Sequence, residues 1–306
     1  MKLNNANLAA LPANVKRPGY DRAAVTVGIV HIGVGGFHRA HQAMYLDQLL
    51  SQGLARDWGI CGMGVMPADA RMRDALSTQD GLYTLVQKNP DGSQDVRVIG
   101  SIIDYVYAPD DPKAAVERLA APNVRIVSLT ITEGGYNFHQ VSGEFDLGNP
   151  LVQADLADPD RPATVFGLVV AALRLRRERG LAPFTLMSCD NVQGNGIMAR
   201  RSFTAYAQAL DPSLAAWMDT HVAFPNSMVD RITPATTDAD RAEVAELIGV
   251  EDAWPVVCED FTQWALEDSF NAGRPPYERV GVEVVADVEP YELMKLRLLN
   301  ASHQGL

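Results

Sequence analysis

Cysteine is scarce in this 306-residue chain: Cys61, Cys189 and Cys258 are far apart and show no CxxC spacing. That excludes a disulfide framework and a thiolate metal cluster, and it fits a reducing compartment. Positive charge is also short. Against 38 Asp and Glu stand 26 Lys and Arg, a net charge of −12, so no broad cationic face for nucleic acid is expected. No apolar run approaches the length of a membrane span. The amino-terminal stretch MKLNNANLAALPANVKRPGY is too polar for a secretory signal. With 47% hydrophobic residues, the chain reads as a globular protein of one large or two ordinary domains, expected in the cytoplasm and away from membranes. Its oligomeric state is left open, a monomer included.

Strand-like and helix-like patterns alternate, which predicts an α/β fold: a Rossmann-like, doubly wound, mostly parallel sheet with extra strands. The first unit carries the strongest signal. An apolar run from Val25 breaks at Gly33-Val34-Gly35-Gly36-Phe37-His38 and restarts as a helix. A strand, a glycine turn and a helix N-terminus together hold a dinucleotide pyrophosphate. Gly33 permits the tight turn, Gly35 admits phosphate close to the backbone, and free N–H groups near Phe37 face the anion. The cofactor stretch is therefore Ile32, Gly33, Val34, Gly35, Gly36, Phe37, His38 and Arg39. His38 departs from the small residue usual at the third fingerprint position.

Further along, Trp58–Val65 reads as a second buried strand, and Pro67 opens a helix to about Ser77. Leu82–Gln87 and Gln94–Gly100 flank the turn Asn89-Pro90-Asp91-Gly92 and predict a hairpin added to the sheet. Helices are expected over 110–121, 163–179, 196–210 and 238–248, and strands over 124–130 and 184–188. Residues 149–162 read as an exposed excursion. The last segment, Pro290–Leu306, reads as one apolar helix with no partner in sequence. It divides the chain into a dinucleotide-binding domain over 1–285 and the first helix, 286–306, of a truncated helical domain.

That final helix carries Lys295, Asn300 and His303, with Asn300 about 140° and His303 about 80° from Lys295; Glu292 falls about 60° away. A desolvated lysine can take a hydroxyl proton as hydride leaves, while amide donors steady the oxygen and histidine orients the substrate. A solvated polar face on an amphipathic helix meets the same spacing. Glu133, Asn191 and Asp230 each follow a hydrophobic run, where open α/β sheets build sites, although each also suits a turn. Asp69, after the second strand, is the candidate for binding the adenosine ribose; Arg71 and Arg73 nearby are compatible with NADP, and the preference is for NAD. No metal site is expected: His31 points from a strand, and His38 and His41 alone lack a third ligand at a recognisable spacing.

Five segments then carry a family resemblance: GVGGFHRAHQ from Gly33, TITEGGYN from Thr130, CDNVQGNG from Cys189, FPNSMVDRITP from Phe224 and KLRLLNASH from Lys295. In order and spacing along essentially the whole chain, they resemble the long-chain polyol dehydrogenases. His38 is itself a mark of that family. The resemblance implies metal-independent hydride transfer between NAD and a secondary alcohol of a polyol, foremost D-mannitol to D-fructose. It implies Lys295 as general acid/base, Asn191 and Asn300 as oxyanion donors, His303 as substrate-orienting residue and Glu292 as proton carrier. Asp230 would contact polyol hydroxyls, and Asp69 and Glu133 would belong to the cofactor site. Two alternatives remain at this point: a fructuronate or tagaturonate reductase, and an NAD-binding module without turnover. Family members continue into a helical domain that completes the pocket.

Overall fold

The computed structural model describes residues 1–300, with side chains through Arg297. Eleven strands are present among them: β1 Val27–Ile32, β2 Gly59–Gly64, β3 Tyr83–Lys88, β4 Gln94–Ile99, β5 Ile102–Tyr107, β6 Ile126–Leu129, β7 Thr185–Ser188, β8 Ser227–Asp230, β9 Val256–Glu259, β10 Gln263–Glu267 and β11 Glu283–Val285. Five of them form the central sheet in the order β5-β2-β1-β6-β7, and every pairing in it is parallel. β1, β2, β6 and β7 are buried along their whole length, which is why they read as continuous apolar runs.

Alternate residues of these strands feed two cores, one on each face. Val30, Ile32, Val127, Leu129 and Leu186 meet helices Pro112–Ala120, Val165–Glu178 and Asn195–Leu210. Ile29, Ile126 and Met187 meet Leu46 and Leu49 of helix Gln42–Ser51 and Leu76 of helix Ala70–Ser77. The doubly wound expectation is met. Because β1 runs outward to β2 on one side and β6 on the other, the strand order reverses between β1 and β6. A crevice therefore opens beyond their carboxyl ends, at Gly33 and Thr130.

Several expected elements differ in the structure. The hairpin β3–β4 forms, but it pairs with β9 in a sheet of its own instead of extending the central one. The central edge is taken by β5, which follows β4 after Gly100 and Ser101 and so merges with the hairpin in the sequence pattern. β10, the helix Pro212–His221 and the joining of β8, β10 and β11 into one sheet are additions to the expected fold. Residues 149–162 are not a bare excursion: Asn149 caps a helix over Pro150–Ala157, with proline in its first turn. The helix after the glycine turn is split into Gly36–Ala40 and Gln42–Ser51 by His41, whose φ of −121° and ψ of −95° leave the helical region. The final helix is α-helical over Glu289–Met294 and becomes a π-helix over Lys295–Asn300. No helix among the described residues is long and apolar enough to cross a membrane.

Candidate active site

Two concavities lie at the carboxyl ends of the strands. The larger, about 330 Å³, sits at the strand-order reversal and is lined by Gly33, Met66, Asp69, Thr130, Thr132 and Gly134 among others. Gly33 has a φ of +92°, and a Cβ there would stand 2.1 Å from the Thr130 carbonyl oxygen. Only glycine fits this contact. Gly35 differs: a Cβ would meet nothing nearer than the Gly33 oxygen at 3.8 Å, so space is left for a ligand to reach the backbone.

Asp69 lies in the first turn after β2. Its Oδ2 accepts from the backbone N–H groups of Val65 and Met66, both at 2.9 Å, which fixes the carboxylate at the cleft wall. Oδ1 has no protein partner among the described residues. The nearby arginines are engaged elsewhere: Arg71 stacks on Trp254, and Arg73 pairs with Asp74 and Asp110. Neither is poised for a ribose phosphate.

Other members of the expected cofactor stretch turn inward. His38 is buried and stacks on His31, ring centroids 3.4 Å apart. Arg39 is completely buried; its guanidinium donates to the Trp254 carbonyl and to the Gly35 carbonyl, and lies over the Tyr83 ring. Neither side chain reaches the cleft, because the short helix Gly36–Ala40 directs both into the core. Glu133 opens a 3₁₀ turn, Glu133–Tyr136, and is exposed while its neighbours line the cleft.

The second cavity, about 140 Å³, gathers Asn191, Glu292 and Lys295, three of the residues expected to share a site. Lys295 is only 8% exposed. Its Nζ donates to Asn191 Oδ1 at 2.9 Å and to the Val229 carbonyl at 2.7 Å, and lies 3.3 Å from Asp230 Oδ1. Elements some 65 and 104 residues away thus converge on one ammonium, which a mere solvated helix face does not do. Glu292, one turn earlier, accepts from the Gly194 N–H at 3.0 Å, and burial raises its carboxyl above the usual range. The side chain of Asn300 and all of His303 lie outside the described residues.

Two supporting residues leave no distinct mark in the sequence. Asp190 accepts from the N–H groups of Ile131 and Thr132 and from the Tyr136 hydroxyl at 2.7 Å, tying the loop after β6 to the end of β7. Burial pushes its carboxyl upward. Asn195 is fully buried and bridges the Asp190 carbonyl to the backbone of Ser227. Both stand in CDNVQGNG, but a buried Asp or Asn that bonds backbone looks in sequence like any turn residue.

The model of the mannitol dehydrogenase Rossmann domain matches residues 27–279. The chain belongs to the mannitol dehydrogenase family. Mannitol 2-dehydrogenase of Phaeosphaeria nodorum is 52% identical over 309 positions, which cover all of this chain and 54% of that protein. A solved structure of Pseudomonas fluorescens mannitol 2-dehydrogenase, in ternary complex with NAD and D-mannitol, superposes with a TM-score of 0.96 at 51% identity. The match covers 99% of this chain and 62% of the other. A D-sorbitol dehydrogenase in substrate-free form gives a TM-score of 0.95 at 48% identity, with coverage of 99% and 62%. The chain thus spans between about half and two thirds of the length of these relatives.

Proposed function

We propose that this chain binds NAD at the Gly33 turn and supplies the general acid/base, Lys295, for metal-independent oxidation of a polyol at a secondary alcohol, foremost D-mannitol to D-fructose. The observation that carries the reading is the convergence of Asn191, Val229 and Asp230 on Lys295 Nζ, in a cavity whose wall residue Asp190 bonds to Thr132 of the glycine-turn cleft. The relatives named for mannitol, and the mannitol and NAD held by one of them, support the substrate and cofactor.

The residues present fit the cofactor. Gly35 leaves backbone accessible, Asp69 offers a carboxylate oxygen for ribose hydroxyls, and Arg71 and Arg73 are committed elsewhere, which favours NAD over NADP. When bound, NAD supplies the hydride acceptor. In the oxidative direction neutral Lys295 takes the substrate hydroxyl proton; in the reductive direction the ammonium returns it to the carbonyl oxygen. Asn191 spends its amide oxygen on Lys295, which leaves its NH₂ group to donate to the oxygen that gains charge. Asn300 and His303 would complete the substrate contacts. Glu292, lining the same cavity, passes the proton on, and Asp230 holds the ammonium while meeting polyol hydroxyls. Residues 1–285 serve as the dinucleotide-binding unit, and 286–306 begin the helical substrate domain. The three buried, unpaired cysteines fit a cytoplasmic setting.

A sugar acid would require a further cation. Lys295 is the one cationic side chain among the described residues lining the cavity, and its donors are already directed to three acceptors. Comparing kcat/KM for fructose and fructuronate in the whole protein tests this: fructose is expected to be favoured, and preference for fructuronate would refute the assignment. Asp69→Ala should shift kcat/KM toward NADP by roughly tenfold, by removing both a ribose acceptor and a repelling charge. An unchanged cofactor ratio would remove Asp69 from the site.

Glu292 also predicts a pH dependence. A carboxyl raised in the folded state favours the protonated form there, so its contribution to stability is full below the unfolded-state pKa and is lost as pH rises through the folded value. Glu292→Gln keeps an acceptor for Gly194 N–H without the charge. It should therefore raise Tm relative to the parent at pH 8 more than at pH 4. An equal change at both pH values would show that this carboxyl is not destabilised by burial.

A further inference from the structure

Beneath the glycine turn runs a buried chain of side chains that the reaction itself does not use. His31 in β1 and Ser128 in β6 are opposite one another in register, and both are fully buried. His31 Nδ1 is 2.8 Å from Ser128 Oγ, which is 3.0 Å from the Gln42 amide oxygen. On the other side of the ring, His31 Nε2 is 2.9 Å from Thr130 Oγ1 and 3.3 Å from the Gly33 carbonyl oxygen. Thr130 Oγ1 in turn lies 2.6 Å from that same oxygen. His38 covers the His31 ring from one face.

Counting protons gives the chain a direction. The Gly33 oxygen also accepts from the Gly35 N–H at 2.7 Å. If Nδ1 carried the ring proton, the lone pair of Nε2 would face that oxygen at 3.3 Å with no proton between them, and the single Thr130 proton could serve only one of the two. The buried Tyr277 hydroxyl, beside the Gln42 NH₂ group, would then have no acceptor for its own proton, as buried groups should not. With the proton on Nε2 and the Gln42 amide turned over, every link is satisfied. Gln42 donates to Ser128, Ser128 to His31 Nδ1, His31 Nε2–H to Thr130, and Thr130 to the Gly33 carbonyl. The Gln42 oxygen is then free to accept from Tyr277, which packs beside it. Burial pushes the His31 pKa down to about 3, so the ring stays neutral as this scheme needs.

We infer that His31 and Thr130 are positioning residues for the dinucleotide, holding the Gly33 carbonyl inward so that the Val34 N–H of the same peptide is presented to the pyrophosphate. Carbonyl and N–H of a trans peptide point in opposite directions, so pinning one aims the other. The Val34 N–H makes no hydrogen bond among the described residues. A preset donor meets an anion without first having to be oriented.

This inference rests on the proposed cofactor site, and the test separates the two. ADP, NADH and adenosine are titrated against the 306-residue chain, its Thr130→Val variant, which keeps the shape but loses the hydroxyl, and Thr130→Ser, which restores it. Thr130→Val should bind ADP and NADH roughly tenfold more weakly, leave adenosine affinity unchanged, and be rescued by serine. Equal loss for adenosine, or no loss for ADP, overturns the inference. A parent chain that fails to bind NADH overturns the cofactor reading instead. Should Thr130→Val not fold, ¹⁵N NMR of the parent still decides: His31 should show a protonated Nε2 and a bare Nδ1 from pH 5 to 8, and the opposite tautomer contradicts the relay.

Discussion

Replacing Lys295 with alanine in the whole protein is expected to lower kcat for mannitol oxidation by about a thousandfold or more, the scale on which a positioned general base contributes. NADH affinity should stay within a factor of two or so, because Lys295 lies in the cavity beside β8 and not in the cleft at Gly33. The reason is geometric. Oxidation of an alcohol needs a group that accepts the hydroxyl proton while hydride leaves the carbon. In its cavity, Lys295 Nζ is held by three acceptors from two elements, which fixes the one basic nitrogen lining that cavity among the described residues. Turnover near the parent's would remove Lys295 from the chemistry and leave the convergence a structural ion pair.

The second large effect is expected at Gly33. Alanine there must adopt a φ near +92° and place a Cβ 2.1 Å from a backbone oxygen of the neighbouring strand. Strain of this kind costs about 1–3 kcal/mol, and the steric clash adds to it. Because the clash is with backbone at the end of β6, relief requires β1 and β6 to part where the crevice opens. Gly33→Ala should therefore lose at least about 2 kcal/mol in denaturant unfolding and bind NADH measurably more weakly. Gly35→Ala, where a Cβ meets open space, should leave stability nearly unchanged while still weakening NADH binding. If both variants behaved alike, Gly33 and Gly35 would share a single role, and the division into a packing glycine and a phosphate-facing glycine would fail.

Much of this was legible in the sequence, for identifiable reasons. Fully buried parallel strands leave continuous apolar runs, so β1, β2, β6 and β7 could be placed, and the glycine turn marked the crevice. The residues at strand ends, Asn191 and Asp230, could be singled out because open sheets expose those positions. Their meeting with Lys295 could not be seen, since periodicity says nothing about how far apart segments fold. The same holds for β9, whose pairing with the hairpin depends on contacts across some 170 residues. Arg39 falls within the glycine-turn stretch in sequence, and only the break at His41 shows the short helix turning its side chain inward. Asp69 follows the second apolar run in the sequence, but only the structure shows its carboxylate oriented at the cleft wall by the N–H groups of Val65 and Met66.

The lysine cavity and the glycine-turn cleft are proposed to serve one hydride transfer that needs no metal. The most direct measurement follows NADH formation from NAD and D-mannitol by the whole protein, with and without excess chelator, alongside quantification of the ketose. One fructose per NADH and an unchanged rate with chelator are expected. No mannitol-dependent NADH, or a rate abolished by chelator and restored by a divalent metal, would contradict it.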